Sequence, residues 1–331
     1  MPIFERKSIR LSRLTCSLLL VIALIFPLEL LAAKQPDQPA SQPGPLDTID
    51  AQRNYLSREF VSFVGDIDRF FGDDRNYQES NKSVFQIALT KVSGYGGSRN
   101  FVLSGRAKLD MPSAEKRLHL LLETDPEKRI TGESPQGQPV VLDQVAAPGK
   151  VAIAAGYAKE KETRWYFSTD AGIQIRSPVE PFARARGSYS FPLEQWRMKA
   201  AESVFWFSTI GAGETTQLDL EHVLSEPVLF RASSNATWLH DKQNFDLRQD
   251  LSIYHTLNER SALLYQASVI GVSNPQVQVT EYVVLLLYRY RLRRNWIFLE
   301  LSPQLHFPKA DNFKSSPALS MRLEMLFDES R

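Results

Sequence analysis

The sequence predicts an all-β fold, a single antiparallel transmembrane-type β-barrel of about 12–14 strands preceded by one amphipathic helix. Three observations predict it. The first is a hairpin near the C-terminus. Tyr282, Val284, Leu286, Tyr288, Tyr290 and Leu292 share one face of an alternating segment, while Glu281, Val283, Leu285, Leu287, Arg289, Arg291 and Arg293 share the other. Folding the chain back about Arg294 and Asn295 sets Leu292 against Ile297, Tyr290 against Leu299, Tyr288 against Leu301, Val284 against Leu305 and Tyr282 against Phe307. The same register sets Arg289 opposite Glu300. One face is thus an aliphatic and aromatic wall, and the other holds charges that a dry core accepts only when they are paired. A membrane barrel inverts the usual rule in this way, with lipid outside and a polar interior.

The second observation is the last segment, in which Leu319, Met321, Leu323, Met325 and Phe327 alternate with Ser320, Arg322, Glu324 and Leu326. The third is the rhythm of the connections. Met111 to Glu115, Lys159 to Thr163, Pro192 to Gln195, Ser225 to Pro227, Leu257 to Arg260 and Arg293 to Asn295 are short and fall at one end. Ser93 to Ser98, Asp125 to Gly149 and Phe307 to Ser316, which contain the longest connections, fall at the other. Membrane barrels have this asymmetry, together with an even strand count that returns both chain ends to the short-turn side.

Taken in order, residues 1–33 read as a signal peptide. Arg6, Lys7, Arg10 and Arg13 form a basic start, Ser17 to Phe26 an apolar centre, Pro27 a breaker, and Leu31-Ala32-Ala33 a cleavage site. The apolar run is shorter than the roughly 20 residues that span a bilayer. Cys16, the only cysteine, precedes that run and is not placed for lipid attachment. Residues 34–47, rich in Pro and Gln, form a disordered linker too poor in apolar side chains to fold alone.

Residues 48–72 change to a helical period, with Leu56, Phe60, Phe63, Val64, Ile67 and Phe70, followed by Phe71, on one side. Asp47 or Thr48 can cap the start, and Gly72 suits the stop. That stripe requires burial, as a plug in the lumen, as a lid on its mouth, as a self-association surface, or simply packed on the protein's own barrel.

The barrel domain spans 83–327. Its candidate strands are Val84 to Val92, Asn100 to Asp110, Lys116 to Thr124, Lys150 to Ala158, Arg164 to Arg176, Phe182 to Phe191, Trp196 to Thr209, Thr215 to Leu224, Val228 to Trp238, Asn244 to Thr256, Ser261 to Val272, Val277 to Leu292, Trp296 to Phe307 and Pro317 to Phe327. The fourth and seventh alternate most weakly, which is why the count extends down to 12.

With the signal, the linker, the aromatic helix ending in Phe70-Phe71-Gly72-Asp73-Asp74 and the aromatic-terminated last strand, the chain resembles Gram-negative outer-membrane β-barrel proteins. Four residues, Asp328 to Arg331, follow the Phe where that family has the aromatic at the end. The resemblance implies an outer-membrane location, contact with outer-membrane lipid and handling by the barrel-assembly machinery. It is one of architecture and implies no activity.

Composition excludes several classes. Removing the four basic and two acidic residues of the signal leaves 35 Lys+Arg and 36 Asp+Glu, with no basic footprint for nucleic acid. His119, His222, His240, His255 and His306 have no ligand spacing, and no cysteine follows Cys16, so neither a metal nor a cofactor is expected. No catalytic set is assigned. The glycine-rich Ser93 to Ser98 lacks the Lys-Ser/Thr of a phosphate loop.

What the pattern does single out is a set of lumen charges: Arg106, Lys108, Arg117, Glu123, Arg184, Arg186, Asp246, Arg248, Asp250, Arg289, Arg291, Glu300, Arg322 and Glu324. Their basic members could draw anions into a pore, or pair with the acidic ones, and pairing is favoured because an unpaired cluster in a narrow lumen is costly. The expected function is a structural or channel-like, porin-like barrel with a small solute or a second copy as candidate partner. Two alternatives stand beside it, a soluble periplasmic β-protein binding lipid or a protein partner, and an outer-membrane hydrolase.

Overall fold

The computed structural model describes residues 63–71, 83–96, 101–110, 118–124, 151–161, 164–175, 179–193, 195–293 and 295–328. The expected signal and linker, the first part of the helix with Leu56 and Phe60, Arg117 and the whole Asp125 to Gly149 loop lie outside those residues.

Fourteen strands form one closed antiparallel ring in chain order. They are β1 (Val84–Gly94), β2 (Val102–Asp110), β3 (Leu118–Thr124), β4 (Val151–Lys161), β5 (Trp165–Ile175), β6 (Glu180–Leu193) and β7 (Trp196–Phe207). The second half is β8 (Gly211–Ser225), β9 (Val228–Leu239), β10 (Asn244–Asn258), β11 (Ser261–Val272), β12 (Gln278–Arg291), β13 (Ile297–Pro308) and β14 (Ser316–Asp328). The architecture is that of an outer-membrane-type β-barrel. β4 and β7 are full members despite their weak alternation, so the count is the upper one.

The hairpin of β12 and β13 adopts the register that its apolar pairs demand: Tyr290 faces Leu299, Tyr288 faces Leu301, Val284 faces Leu305, Tyr282 faces Phe307, and Arg289 faces Glu300. The ring closes where β1 pairs with β14, from Val84 against Asp328 to Gly94 against Ala318. The last strand therefore runs one residue past Phe327.

Outward positions are apolar and exposed, among them Leu103, Leu120, Ile153, Phe167, Val284, Leu301, Met321 and Leu323. Aromatic pairs gather at the short-turn end, where the Trp165 and Tyr189 rings lie 4.3 Å apart and Trp296 stacks on Phe327 at 4.8 Å. At the opposite end the Tyr282 ring lies 5.5 Å from that of Phe313. Such girdles suit the two water interfaces of a lipid-embedded wall.

A helix, α1 (residues 63–71), belongs to the same compact unit as the barrel. Val64, Ile67 and Phe71 are buried against Leu229, Tyr254, Leu264, Leu285 and Leu287, all inward residues near the short turns. At its C-terminal end, Phe70 packs edge-on to Phe298 at 5.8 Å, and Phe71 edge-on to Tyr254 at 5.1 Å. Placing this element on the inner wall is consistent with its position in the chain, since β1 begins at the same end.

Candidate functional site: the charged lumen

The alternation that turns apolar side chains outward turns polar ones inward, and the lumen gathers them into three ionic clusters and a hydrogen-bonded array. The first cluster lies on β12, β13 and β14. Arg289, fully buried, forms one ion pair with Glu300 and another with Glu324 at 2.6 Å. Arg322 reaches Glu324 at 2.7 Å and Glu300 at 3.5 Å. Two guanidinium groups and two carboxylates thus alternate, and the quartet sums to zero. The Arg289 guanidinium also lies 4.1 Å from the centre of the Phe298 ring, a cation–π contact that adds to the pairing.

The second cluster joins β3, β5 and β6 across β4. Arg184 holds Glu123 through both terminal nitrogens, at 2.9 and 3.2 Å, and donates from Nε to Asp170 at 2.9 Å. Asp170 in turn meets His119 Nε2 at 2.8 Å. This bridge passes over Gly156 of β4. A Cβ there would lie 1.9 Å from Asp170 Oδ1 and 2.3 Å from His119 Nε2, so only glycine leaves room for it.

The third cluster ties α1 to the wall. Arg231 of β9 donates to Glu221 at 2.7 Å and to Asp68 of α1 at 2.5 Å, with Tyr254 Oη at 3.2 Å. Arg197 reaches the other oxygen of Glu221 at 2.5 Å. Arg197, Arg231, Glu221 and Asp68 again sum to zero, and the second carboxylate comes from the helix. Arg291 lies beside this docking point, 5.2 Å from the Phe70 ring centre and 5.7 Å from that of Phe298.

Among the remaining singled-out residues, Arg106 is buried and bonds Gln86, and Lys108 is buried on the same face of β2. Arg186 donates to Ser203 at 3.0 Å and Gln217 at 3.2 Å. On β10, Arg248 chelates Asp250 at 2.9 Å, and Gln266 and Ser268 extend that array. Asp246 accepts from Asn244 at 3.1 Å, nearer the long-loop end. Phe63 packs at the margin of the helix's apolar contact.

Several members escaped the sequence reading. Asp68, Glu221, Arg231 and Arg197 were not singled out, nor was the pair of His306 and Glu281, 2.8 Å apart. The available signal was a carboxylate at position 68, one turn beyond Val64 and inside the apolar stripe, together with inward parity for Arg231 two residues from Leu229. Among the described residues no group of three or more metal-ligating side chains exists.

No protein-family model matches the chain, and no curated protein matches it. Solved structures that it is similar to include the outer membrane channel DcaP of Acinetobacter baumannii, at 7% identity and TM-score 0.44, covering 74% of this chain and 96% of that one. OprB of Pseudomonas putida is 9% identical with TM-score 0.45, covering 77% and 96%. A loop-deletion form of OmpT, an outer membrane protein of Vibrio cholerae, is 7% identical with TM-score 0.46, covering 74% and 98%.

Proposed function

We propose that this chain is an outer-membrane β-barrel acting as an occluded channel, its lumen lined by self-neutralised charge clusters and closed at the short-turn mouth by α1. The observation that carries the reading is the docking of α1: its apolar face lies on Leu229, Leu264, Leu285 and Leu287 while Asp68 completes the charge balance of Arg231. A helix bound only to cover apolar surface would not need that carboxylate. Barrel size supports the same conclusion. Eight strands can be filled by their own side chains and sixteen to eighteen leave an aqueous channel, so fourteen strands leave space that an internal element can occupy.

The outward wall of Leu103, Leu301 and Met321 supports a membrane location with lipid as its partner. A closed ring with an apolar outer wall also favours this reading over the soluble periplasmic β-protein, which would have to expose that wall to water. The short-turn end would face the periplasm, where the expected signal and linker would deliver the helix, and the barrel-assembly machinery would insert the product. The paired lumen makes the route suited to small polar solutes of either sign rather than a dedicated anion path.

Single-channel recording in planar bilayers tests this. The intact protein is expected to conduct little, and deletion of residues 48–72 to produce a stable, larger conductance. Equal conductance for both forms, with the deletion still folded, would remove the plug reading. Recovery of the protein from an osmotic-shock fraction without detergent would remove the membrane reading altogether.

A further inference from the structure

The outer wall is not uniform. At mid-height on β7, Glu202 shares its outward parity with Val204 and Trp206, both exposed, and is itself exposed. It accepts a hydrogen bond from Thr216 of β8 at 2.7 Å. Two strands further on, Ser234 of β9 and Gln249 of β10 form a second outward polar pair. Among the described residues, Glu202 is a charged side chain near the middle of the outward wall; Glu214 of β8, opposite Val204, adds a second carboxylate to the same face, and Lys91 of β1, opposite Met321, stands on another part of the wall. Glu202 stands six positions from Trp196, which at about 3.3 Å per residue and about 40° tilt is roughly 15 Å from the short-turn edge, near the midplane of an apolar band about 25 Å tall.

Acyl chains offer such groups nothing, and lipid headgroups lie too far away to reach them. Beyond the bonds these groups make with one another, what can take up their remaining hydrogen-bonding capacity is another protein surface with polar groups at the same depth. Shape agrees. Gly187 pairs with Glu202, and the position of its missing Cβ is open space. Beside it a shallow depression of about 660 Å³ runs over Ala171, Ala183 and Ala185 between Tyr157 and Trp206.

We propose that this face, centred on Glu202, is the interface with a second copy of the chain. A two-fold axis along the membrane normal keeps depth unchanged, so it brings the carboxyl, hydroxyl and amide of one copy level with those of the other. The patch is its own complement in depth and chemistry. The proton that a carboxyl shares with a second carboxyl or hydroxyl then replaces the water that the bilayer excludes.

The proposal rests on the membrane reading, and its test separates the two. The full chain is purified from membranes into lipid nanodiscs, its mass is measured, and single cysteines are introduced at Ala236, next to the patch, and at Leu301, four strands further round the wall. The expected result is a dimer mass, an oxidative cross-link of twice the chain mass for Ala236→Cys and none for Leu301→Cys, and a shift to monomer for Glu202→Leu with its heat-modifiable gel mobility intact. A monomeric wild type in nanodiscs, equal cross-linking from both positions, or a cross-link to a protein of different mass would overturn the self-association while leaving the membrane location standing. Should Glu202→Leu fail to fold, Gln249→Leu provides the same comparison. Absence from the membrane fraction would instead sink the location.

Discussion

Asp68 of the internal helix and Arg231 of the wall meet at 2.5 Å, 163 residues apart in sequence, with the guanidinium almost wholly excluded from solvent. The arginine needs both of its carboxylates, because Arg197 already shares the other one, Glu221. Asp68→Ala should therefore leave a net positive cluster at the mouth and destabilise helix docking by about 3 kcal/mol, as breaking a buried pair does. Bilayer recording should show more frequent openings with a preference for anions. Unchanged gating and selectivity would mean that Asp68 does not hold the helix.

Phe70→Ala tests the apolar half of the same contact. It removes the edge-on packing with Phe298 and the cation–π contact with Arg291, at a cost of about 2 kcal/mol for a partly buried ring. Limited proteolysis within 63–71 should accelerate while the barrel resists. Equal cleavage rates in mutant and wild type would count against docking through this ring.

Gly156→Ala should be far more damaging than its size suggests. The added methyl would occupy the space of the His119 to Asp170 bridge, so either the bridge breaks or β4 moves outward. A loss of about 2 to 4 kcal/mol is expected from an unsatisfied buried carboxylate, read as a lower temperature of the gel-mobility transition. Gly187→Ala, where nothing is within reach, is the matched control and should be near neutral.

In the quartet of β12 to β14, Arg289→Ala should cost more than Glu300→Ala. The arginine serves two carboxylates, whereas losing Glu300 leaves it with Glu324. About 3 to 5 kcal/mol is expected for the arginine, and the double replacement should cost less than the sum of the two single ones. Denaturant titration of all four forms of the cycle measures this, and simple additivity would show the pair to be uncoupled.

Most of the fold was legible because a membrane barrel writes itself locally: each strand alternates, and each turn sets a register. The hairpin about Asn295 could be paired residue by residue from apolar matching alone. β4 and β7 were faint for identifiable reasons. The inward positions of β4 are small, Ala152, Ala154, Gly156 and Ala158, and the His119 to Asp170 bridge crosses above Gly156. β7 carries Glu202 outward and Phe205 and Phe207 inward, which blurs its alternation. The clusters were harder to read. Which arginine meets which carboxylate depends on strands two apart and on a helix that precedes the barrel, and local alternation carries no record of either distance.

The seam between β1 and β14 sets an order of events for the nascent chain. Val84 waits for Asp328, a partner 244 positions later, and until that strand has been synthesised the first edge has exposed hydrogen-bonding groups and a greasy flank with nowhere to go. The ring can close only in one late step, once that strand is present. A truncation anywhere in the last thirteen residues of strand should thus yield an open, aggregation-prone ribbon rather than a slightly weaker barrel.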